Sequence, residues 1–585
     1  MNKTVTSIIA ILFVSTAFAA GPLEKRVLHN GMTLITQEDH TRDLVAILTY
    51  VDGGNRTETP DLAGLSHYFE HLIFRGGTDK QAELEMRKRF KALGTFYGYT
   101  FEDGTCYYIV VPSDKLPEAL DRYSDVMLNL KITEARTEVE RGIVLEEFSQ
   151  SYFDIPSGMA YYNLYQTAFA DHPYGQTTIG DTAAVINATM ETFQKFYDER
   201  YSPDHFVTAA VGNFNTDELL AEIEKTFGQH PAGGLDFELG KTEPPQEAYR
   251  QANHFMPIST VHFGLGFHIL PYSAPEFPAL EILNHALADY PGGILNRKLA
   301  QESGSFSYIY AYMDKTKDPG LWMMGGELPP DSIDEAFGAL FDEIGSVVEN
   351  GLTDEQIASA KGELIRAHRQ KRESFMRRAE SYCFYELSSN LGLANLYIDR
   401  IKGVSSEDIT ALARRILTPE NTTMSLVMPE GTEIPEGERW AEKLGYETME
   451  AVSAIGKWNP VEEIILPNGT VLLLQEDNSS EMASMEIVVR GGLWAEPAGK
   501  EGIAEFLCRL LTRGTLEFDG GYFNSILGKY GLFLSAGNGG GYLPSFSNST
   551  SQRFNKGGGM GGNHFSPARL RGGRNLVGKA RTADL

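Results

Sequence analysis

Two stretches of this 585-residue chain carry related sequences at a constant separation. Residues 28–39 (LHNGMTLITQED) match residues 466–477 (LPNGTVLLLQED), an offset of 438 positions, and the pair Gly53-Gly54 recurs as Gly491-Gly492. A repeat of this length indicates two homologous halves rather than one domain with a tail. We expect the match to continue with a one-residue slip and to fail near Gly540.

The stretch 62–77 places two histidines and a glutamate in the order His67-x-x-Glu70-His71. On a helix, His67 and His71 lie four residues apart and project from one face, close enough to share a metal ion. Glu70 can reach a water on that metal without being a ligand, and this order inverts the commoner zincin motif. Apolar residues of the same stretch already supply a packing stripe, so the core does not need the histidines.

A catalytic zinc site needs three protein ligands and an open position for water, so a third ligand must come from elsewhere in the chain. The segment 140–148 is predicted to be helical and has carboxylates at Glu140, Glu146 and Glu147. Glu140 and Glu147 are seven residues apart and share a face, which suits one ligand and one carboxylate that orients a histidine. Glu146 is the competing choice for the ligand.

The overall charge limits the classes of partner. The formal charge of −28 argues against nucleic acid and anionic membranes and favours neutral or cationic peptides. The cysteines Cys106, Cys383 and Cys508 are odd in number and far apart, so they predict neither a disulfide framework nor a metal cluster.

The first 19 residues have the pattern of a signal peptide. Lys3 is followed by an apolar run at 8–14 and by a small-x-small cleavage site at 17–19. The apolar run is too short to span a bilayer, and no comparable stretch follows it. We therefore expect an exported, periplasmic or secreted protein.

The motif and its surroundings resemble one family. His67-x-x-Glu70-His71, followed by Glu147 within 140–147 (ERGIVLEE), is similar to the pitrilysin or insulinase family of zinc peptidases, which includes mitochondrial processing peptidase. The segments 172–175 (HPYG) and 295–304 (LNRKLAQESG) also resemble segments of that family. The resemblance covers roughly residues 24–540.

The resemblance implies a role for each site residue. His67, His71 and Glu147 would bind one Zn²⁺ per chain, and Glu70 would be the general base. Glu140 would be the carboxylate that orients a histidine. The family pattern selects the last glutamate of the pair, Glu147 rather than Glu146, as the third ligand.

The resemblance also implies an α+β fold of tandem homologous domains, each a mainly antiparallel sheet packed with helices, as in mitochondrial processing peptidase-like metallohydrolases. We expect a signal peptide (1–19), a catalytic zinc-binding domain (23–230), a non-catalytic homologous domain (250–430), a linker (431–460), a partial third domain (461–540) and a low-complexity basic tail (545–585). In the third domain the offset puts Glu505, Cys508 and Arg509 where the first has its motif, so the metal site is lost. The tail has two interpretations: a basic interaction segment, or a departure from the reading frame of a longer protein. Its abrupt change of composition favours the second.

Members of this family bind substrate by adding its backbone to an exposed strand near the metal, and residues 96–100 have that position. Such binding uses hydrogen bonds to the main chain of the peptide rather than to its side chains, so it gives broad specificity. Tyr97 stands where the family commonly carries Asn. Ordinary strand packing is an equal alternative for Phe96, Tyr97 and Tyr99.

The expected function is that of an exported zinc metalloendopeptidase acting on short or unfolded peptides, with a metal-activated water and Glu70 as base. The family often adds an Arg and a Tyr from a later domain or a partner; here the matching positions are Ala300 and Ser307. The second half of the repeat is expected to be incomplete, so a homodimer or a partner subunit would supply the missing part. The alternative is a non-catalytic or partner-dependent subunit that binds peptides or supports assembly.

Overall fold

The computed structural model describes residues 20–234, 241–289 and 293–445, and then 462–466, 471–474, 482–490, 500, 502–511, 533–536 and 542–550. The predicted signal peptide and residues 551–585 of the predicted tail lie outside the described residues. The chain divides into two compact units, Met1–Glu447 and Thr448–Leu585.

Six strands form the first sheet of unit 1, in the order β1-β2-β6-β3-β5-β4. They are β1 (Glu24–Val27), β2 (Thr33–Glu38), β3 (Leu44–Asp52), β4 (Thr95–Phe101), β5 (Gly104–Pro112) and β6 (Phe206–Gly212). Only β2 and β6 pair in parallel; the other pairs are antiparallel. The predicted hairpin joins β1 to β2, with Gly31 at a φ of 86° in its turn. The segment 96–100 lies in β4, an edge strand of this sheet.

Eight α-helices belong to this domain in the described part of the chain. They are α1 (Leu65–Arg75), α2 (Glu83–Leu93), α3 (Leu116–Leu128), α4 (Glu134–Phe148), α5 (Pro156–Ala168), α6 (Thr182–Asn187), α7 (Met190–Arg200) and α8 (Thr216–Lys225). The apolar face of α1 is buried; its Phe69 ring stacks on Phe196 of α7 with centroids 5.1 Å apart. This packing leaves His67 and His71 free to face α4.

A second sheet in unit 1 repeats the topology of the first. Its strands are β7 (Arg250–Met256), β8 (Val261–His268), β9 (Tyr308–Met313), β10 (Leu321–Leu328) and β11 (Thr422–Pro429), in the order β7-β11-β8-β10-β9. The parallel pair β7/β11 corresponds to β2/β6, and the remaining pairs are antiparallel. The predicted fold of tandem, mainly antiparallel domains packed with helices is therefore confirmed.

The helices of the second domain are α9 (Phe277–Asn284), α10 (Ile333–Asn350), α11 (Asp354–Arg372), α12 (Phe375–Ser388), α13 (Tyr397–Gly403), α14 (Ser406–Ile416) and α15 (Glu438–Ala441). Helix α12 packs against the first sheet. Arg378 forms a buried ion pair of 2.6 Å with Asp39, and Tyr99 of β4 donates a hydrogen bond of 2.7 Å to Glu380. The strand β4, which contains the segment 96–100 expected to bind substrate, therefore contacts the second domain through α12.

The beginning of the segment predicted to be a linker belongs to the second domain. Trp440 and Leu444 are buried, and the Trp440 ring lies 4.7 Å from that of Phe337 on α10. Two large apolar side chains anchor this stretch, so the first part of the predicted linker, 431–460, packs on the second domain. Residues 446–460 lie outside the described part.

The described strands of unit 2 reproduce the strand register of the first domain. They are β12 (Glu462–Ile465), β13 (Val471–Leu474), β14 (Met482–Arg490), β15 (Phe533–Ala536) and β16 (Tyr542–Thr550), with α16 (Ile503–Leu511). Met482 pairs with Thr550 as Leu44 pairs with Pro112, each shifted by 438 positions. Phe533 pairs with Asn548 as Thr95 pairs with Val110, again without a slip.

This register continues beyond the point at which the sequence match fails, near Gly540. The strand β16 occupies the position of β5 at the same offset. Residues 545–550, predicted to belong to the tail, are part of that strand. The side chains in β16 differ from those in β5, and the backbone pairing alone shows the relationship.

In the described part of the chain, no helix is both long enough and apolar enough to cross a membrane.

The N-terminus of α1 depends on a close approach of two backbones. Gly64 has a φ of 95°, and a Cβ placed there would lie 2.2 Å from the carbonyl oxygen of Ile179. The buried carboxylate of Glu58 accepts hydrogen bonds from the backbone N–H groups of Gly64 and Ser66, at 2.7 and 2.6 Å. Only glycine fits this contact, which fixes where the helix of His67 and His71 begins.

We expect Gly64→Ala to lower the free energy of unfolding by more than about 2 kcal/mol, because it combines a left-handed backbone with a backbone clash. Gly142→Ala on α4 is the matched control, since a Cβ there meets no described atom within 4 Å. That substitution should stabilise by about 0.5–1 kcal/mol. Denaturant unfolding followed by circular dichroism measures both, and equal stabilities would contradict the role of Gly64.

Candidate metal centre and active site

Helices α1 and α4 bring three potential ligands together. Donor atoms of His67, His71 and Glu147 all lie within 4.8 Å of one another. His71 Nε2 lies 3.2 Å from Glu147 Oε2, and His67 Nε2 lies 3.7 Å from Glu147 Oε1. The two imidazoles are adjacent on one helix face, with ring centroids 4.8 Å apart. These are the three residues that the family resemblance predicts as metal ligands.

This geometry fits a tetrahedral zinc ion. With bonds of about 2.0–2.1 Å, two ligand atoms of a tetrahedral zinc lie about 3.3 Å apart. The closest separations, 3.2 Å to His71 and 3.7 Å to His67, are near that spacing and involve the two different oxygens of Glu147. Two imidazoles and one carboxylate are also a usual donor set of catalytic zinc, which leaves the fourth position for water or substrate.

Glu140 orients His71 from the opposite side of the ring. Its Oε2 lies 3.3 Å from His71 Nδ1, and its Oε1 accepts a hydrogen bond of 3.3 Å from Arg136. Glu140 is fully buried. Burial would raise the pKa of this carboxyl, but His71, Arg75 and Arg136 lower it below its usual value. An ionised Glu140 fixes the proton on Nδ1 and leaves Nε2 for the metal.

The two histidines have different pKa values. Burial, and then the neighbouring His71, lower the pKa of His67 to about 4, so its imidazole is neutral at pH 7. Burial also disfavours the charged form of His71, yet the hydrogen bonds to Glu140 and Glu147 raise its pKa to about 9. Metal binding to this set therefore has to displace a proton from His71.

Glu70 lies beside the ligands and contacts the edge strand. Thr100 Oγ1 on β4 donates a hydrogen bond of 2.8 Å to Glu70 Oε2. Burial raises the pKa of Glu70 above its usual value, which suits a group that must accept a proton and release it again. Thr100 is not among the site residues predicted from the sequence. The signal for it is its place in the segment 96–100, where the two-residue period of a strand puts Phe96, Gly98 and Thr100 on one face of β4.

Glu146, the competing ligand, is directed elsewhere. Its carboxylate is exposed and accepts a hydrogen bond of 2.7 Å from Gln150. Among the described residues, the cluster of potential metal ligands includes Glu147 and not Glu146.

The family-like segment 172–175 lies away from this cluster. His172 Nε2 is 3.3 Å from Asp318 of the second domain, and Arg56 Nε donates to the same carboxylate at 2.5 Å. His172 and Arg56 hold the pKa of Asp318 well below its usual range. His172 therefore joins the two domains, and the cluster of potential metal ligands found among the described residues does not include it.

A cavity of about 700 Å³ adjoins Glu70 and His71. It lies between α1, α2 and the beginning of β4, and includes Phe74, Phe90 and Phe96 in its lining. The site therefore combines a cluster of potential metal ligands, an adjacent carboxylate, an edge strand and a recess large enough for a side chain.

Comparison with known proteins identifies related families and sequences. Residues 33–182 match the profile of "Insulinase (Peptidase family M16)", and residues 187–364 match that of "Peptidase M16 inactive domain". An uncharacterized zinc protease of Streptomyces coelicolor is 27% identical over 410 residues, which cover 68% of this chain and 88% of that protein.

Solved structures show the same fold. A protease from Helicobacter pylori superposes with a TM-score of 0.66 at 21% identity, over 70% of this chain and all of that one. The periplasmic protease PqqL from Escherichia coli gives a TM-score of 0.58 at 15% identity, over 92% of this chain and 65% of that one. The two family profiles together span more than half of the chain, and the chain belongs to peptidase family M16, the insulinase family.

Proposed function

We propose that this protein is an exported zinc metalloendopeptidase that hydrolyses short or unfolded peptides and holds one zinc ion per chain. The observation that carries the proposal is the convergence of His67, His71 and Glu147, with Glu70 on the same helix. Relatives named zinc proteases support the chemistry.

Each site residue has one task in the proposed reaction. When bound, zinc polarises the scissile carbonyl and lowers the pKa of a water molecule. His67, His71 and Glu147 hold the ion, and Glu140 fixes the His71 ring. Glu70 accepts a proton from the attacking water and delivers it to the leaving amine.

The edge strand β4 would position the substrate. An extended peptide can add to its free side by main-chain hydrogen bonds, which gives affinity with broad specificity. Tyr97 is 57% exposed on this strand and so is available to a bound peptide. Thr100 connects the strand to Glu70, and we assign it as the residue that positions the base.

Export is supported by the sequence pattern of residues 1–19, with its positive start, apolar run and small-x-small cleavage site. We propose a periplasmic or secreted location on this pattern.

A non-catalytic subunit that binds peptides is the second candidate function. Ala300 and Ser307 favour it, because they occupy the positions at which the family often has an Arg and a Tyr. In that case peptides would bind at β4 without being cleaved, or a partner subunit or second copy would complete the site.

We expect Glu70→Gln to lower kcat/KM for a quenched fluorescent peptide by about 10²–10⁴-fold while one zinc per chain is retained, because the amide cannot accept the proton. Activity and zinc content are measured on the same preparations, with a chelator-treated sample. Glu146→Gln is the control for loss of one charge near the site. An active Glu70→Gln enzyme would refute the assignment of the base.

We expect Glu147→Gln to weaken zinc binding by at least about 100-fold, because it replaces a charged ligand by a neutral amide. The neighbouring Glu146→Gln should bind zinc as the unmodified protein does. Competition with a chromophoric chelator measures both affinities. The opposite ranking would assign the third ligand to Glu146.

We expect Thr100→Val to lower kcat about tenfold or more with zinc retained, because Glu70 loses the hydrogen bond that orients it. Thr100→Ser keeps the hydroxyl and should restore most of kcat. Steady-state kinetics on one peptide separates kcat from KM. A purely structural role of Thr100 predicts that the valine variant, which keeps the branched shape, outperforms serine.

A further inference from the structure

The cavity beside Glu70 and His71 has an apolar floor. The Phe96 ring lies 4.6 Å from Phe74 and 4.1 Å from Phe90, measured between centroids, and Met86 is buried next to them. Phe96, Gly98 and Thr100 face this side of β4. Side chains of a peptide added to β4 alternate between its two sides, so one near the cleaved bond is directed into the cavity.

Four basic residues also line this cavity: Arg75, Arg87, Lys88 and Lys91. Arg75 follows His71 by four residues and so continues the same face of α1 by one turn. Arg87 and Lys91 are four residues apart on α2 and share a face in the same way. The only acidic residue in the described lining is Glu70.

Two of these cations are already partly balanced. Lys88 lies 3.7 Å from Glu85, and the charge of Arg75 acts on Glu140. The side chains of Arg87 and Lys91 are exposed and form no ion pair with the described residues. An apolar recess with two uncompensated cations at its rim matches a ligand that has a short hydrocarbon stem and a negative end.

We propose that this cavity binds a carboxylate of the peptide substrate at one position beside the cleaved bond, an inference that rests on the proposed peptidase function. The methylenes of the ligand pack on Phe74, Phe90 and Phe96, and its carboxylate meets Arg87 and Lys91. A glutamate or aspartate side chain and a free C-terminus both supply this chemistry. The enzyme then selects acidic peptides, or peptides cleaved close to their C-terminus.

A matched set of quenched fluorescent peptides tests the proposal on the zinc-loaded full chain. Each position flanking the cleaved bond carries Glu, Gln or Leu, and each peptide is made with a free and with an amidated C-terminus. The variants are Arg87→Glu and Lys91→Glu. Arg89→Glu is the control, because it makes the same charge change on α2 at a residue outside the cavity lining, 3.9 Å from Glu85.

At one position we expect Glu to exceed Gln in kcat/KM by about five- to tenfold, the size expected for two exposed ion pairs. If the C-terminal carboxylate is the ligand, the peptide with a free C-terminus has a higher kcat/KM than the amidated peptide instead. Arg87→Glu and Lys91→Glu should each abolish or invert the preference, and Arg89→Glu should keep it. Salt at 1 M should reduce it, because it screens exposed charges.

Equal cleavage of the Glu, Gln, free-acid and amide peptides would overturn this inference and leave the peptidase function intact. A preference that persists in Arg87→Glu and Lys91→Glu would overturn it as well. If no peptide is cleaved, the proposed function fails. Fluorescence anisotropy of the same peptides on the Glu70→Gln protein then decides the inference, and equal affinities for all four would overturn it.

Discussion

The buried contact between α1 and α4 is the interaction on which the candidate site depends. Glu140 has no exposed surface, and its two oxygens are satisfied by His71 on α1 and Arg136 on its own helix. A buried carboxylate that lost such partners would cost several kcal/mol, so the helices are stable together in this register. The same register puts Glu147, two turns along α4, against the other nitrogen of His71. The pairing that allows the helices to fold together therefore also assembles the ligands.

The second domain contributes to this site through the edge strand and without a metal ligand among its described residues. On one face of β4, Tyr99 bonds to Tyr50 at 3.1 Å and to Glu380 of α12 at 2.7 Å. On the other face, the next residue, Thr100, bonds to Glu70. Adjacent residues of this short strand therefore contact α12 of the second domain and the proposed base of the first.

Local periodicity predicted part of this site, and tertiary packing decided the rest. The helical spacing of His67, Glu70 and His71 is contained in five residues, so the sequence alone indicated it. Glu146 and Glu147 are neighbours. The spacing from Glu140 and the family pattern favoured Glu147, and the rotation of α4 against α1 puts that residue beside the histidines. Thr100 and the cations of α2 were not predicted because their role arises from contacts between distant segments. The fold could be predicted more completely than the site, because homologous repeats share a strand register. That register persists in β16, whose sequence no longer matches that of β5.

The charge of the whole chain and the charge of the cavity favour opposite ligands. A net charge of −28 predicts neutral or cationic peptides as partners. That field is screened beyond about 8–10 Å at ordinary ionic strength, whereas Arg87 and Lys91 would act on a bound peptide at contact distance. The global charge then affects the rate of encounter, and the cavity affects which side chain is accepted. We therefore expect selectivity to follow Arg87 and Lys91 at the rim, and the sign of the whole chain to appear only as a salt-dependent change in the association rate.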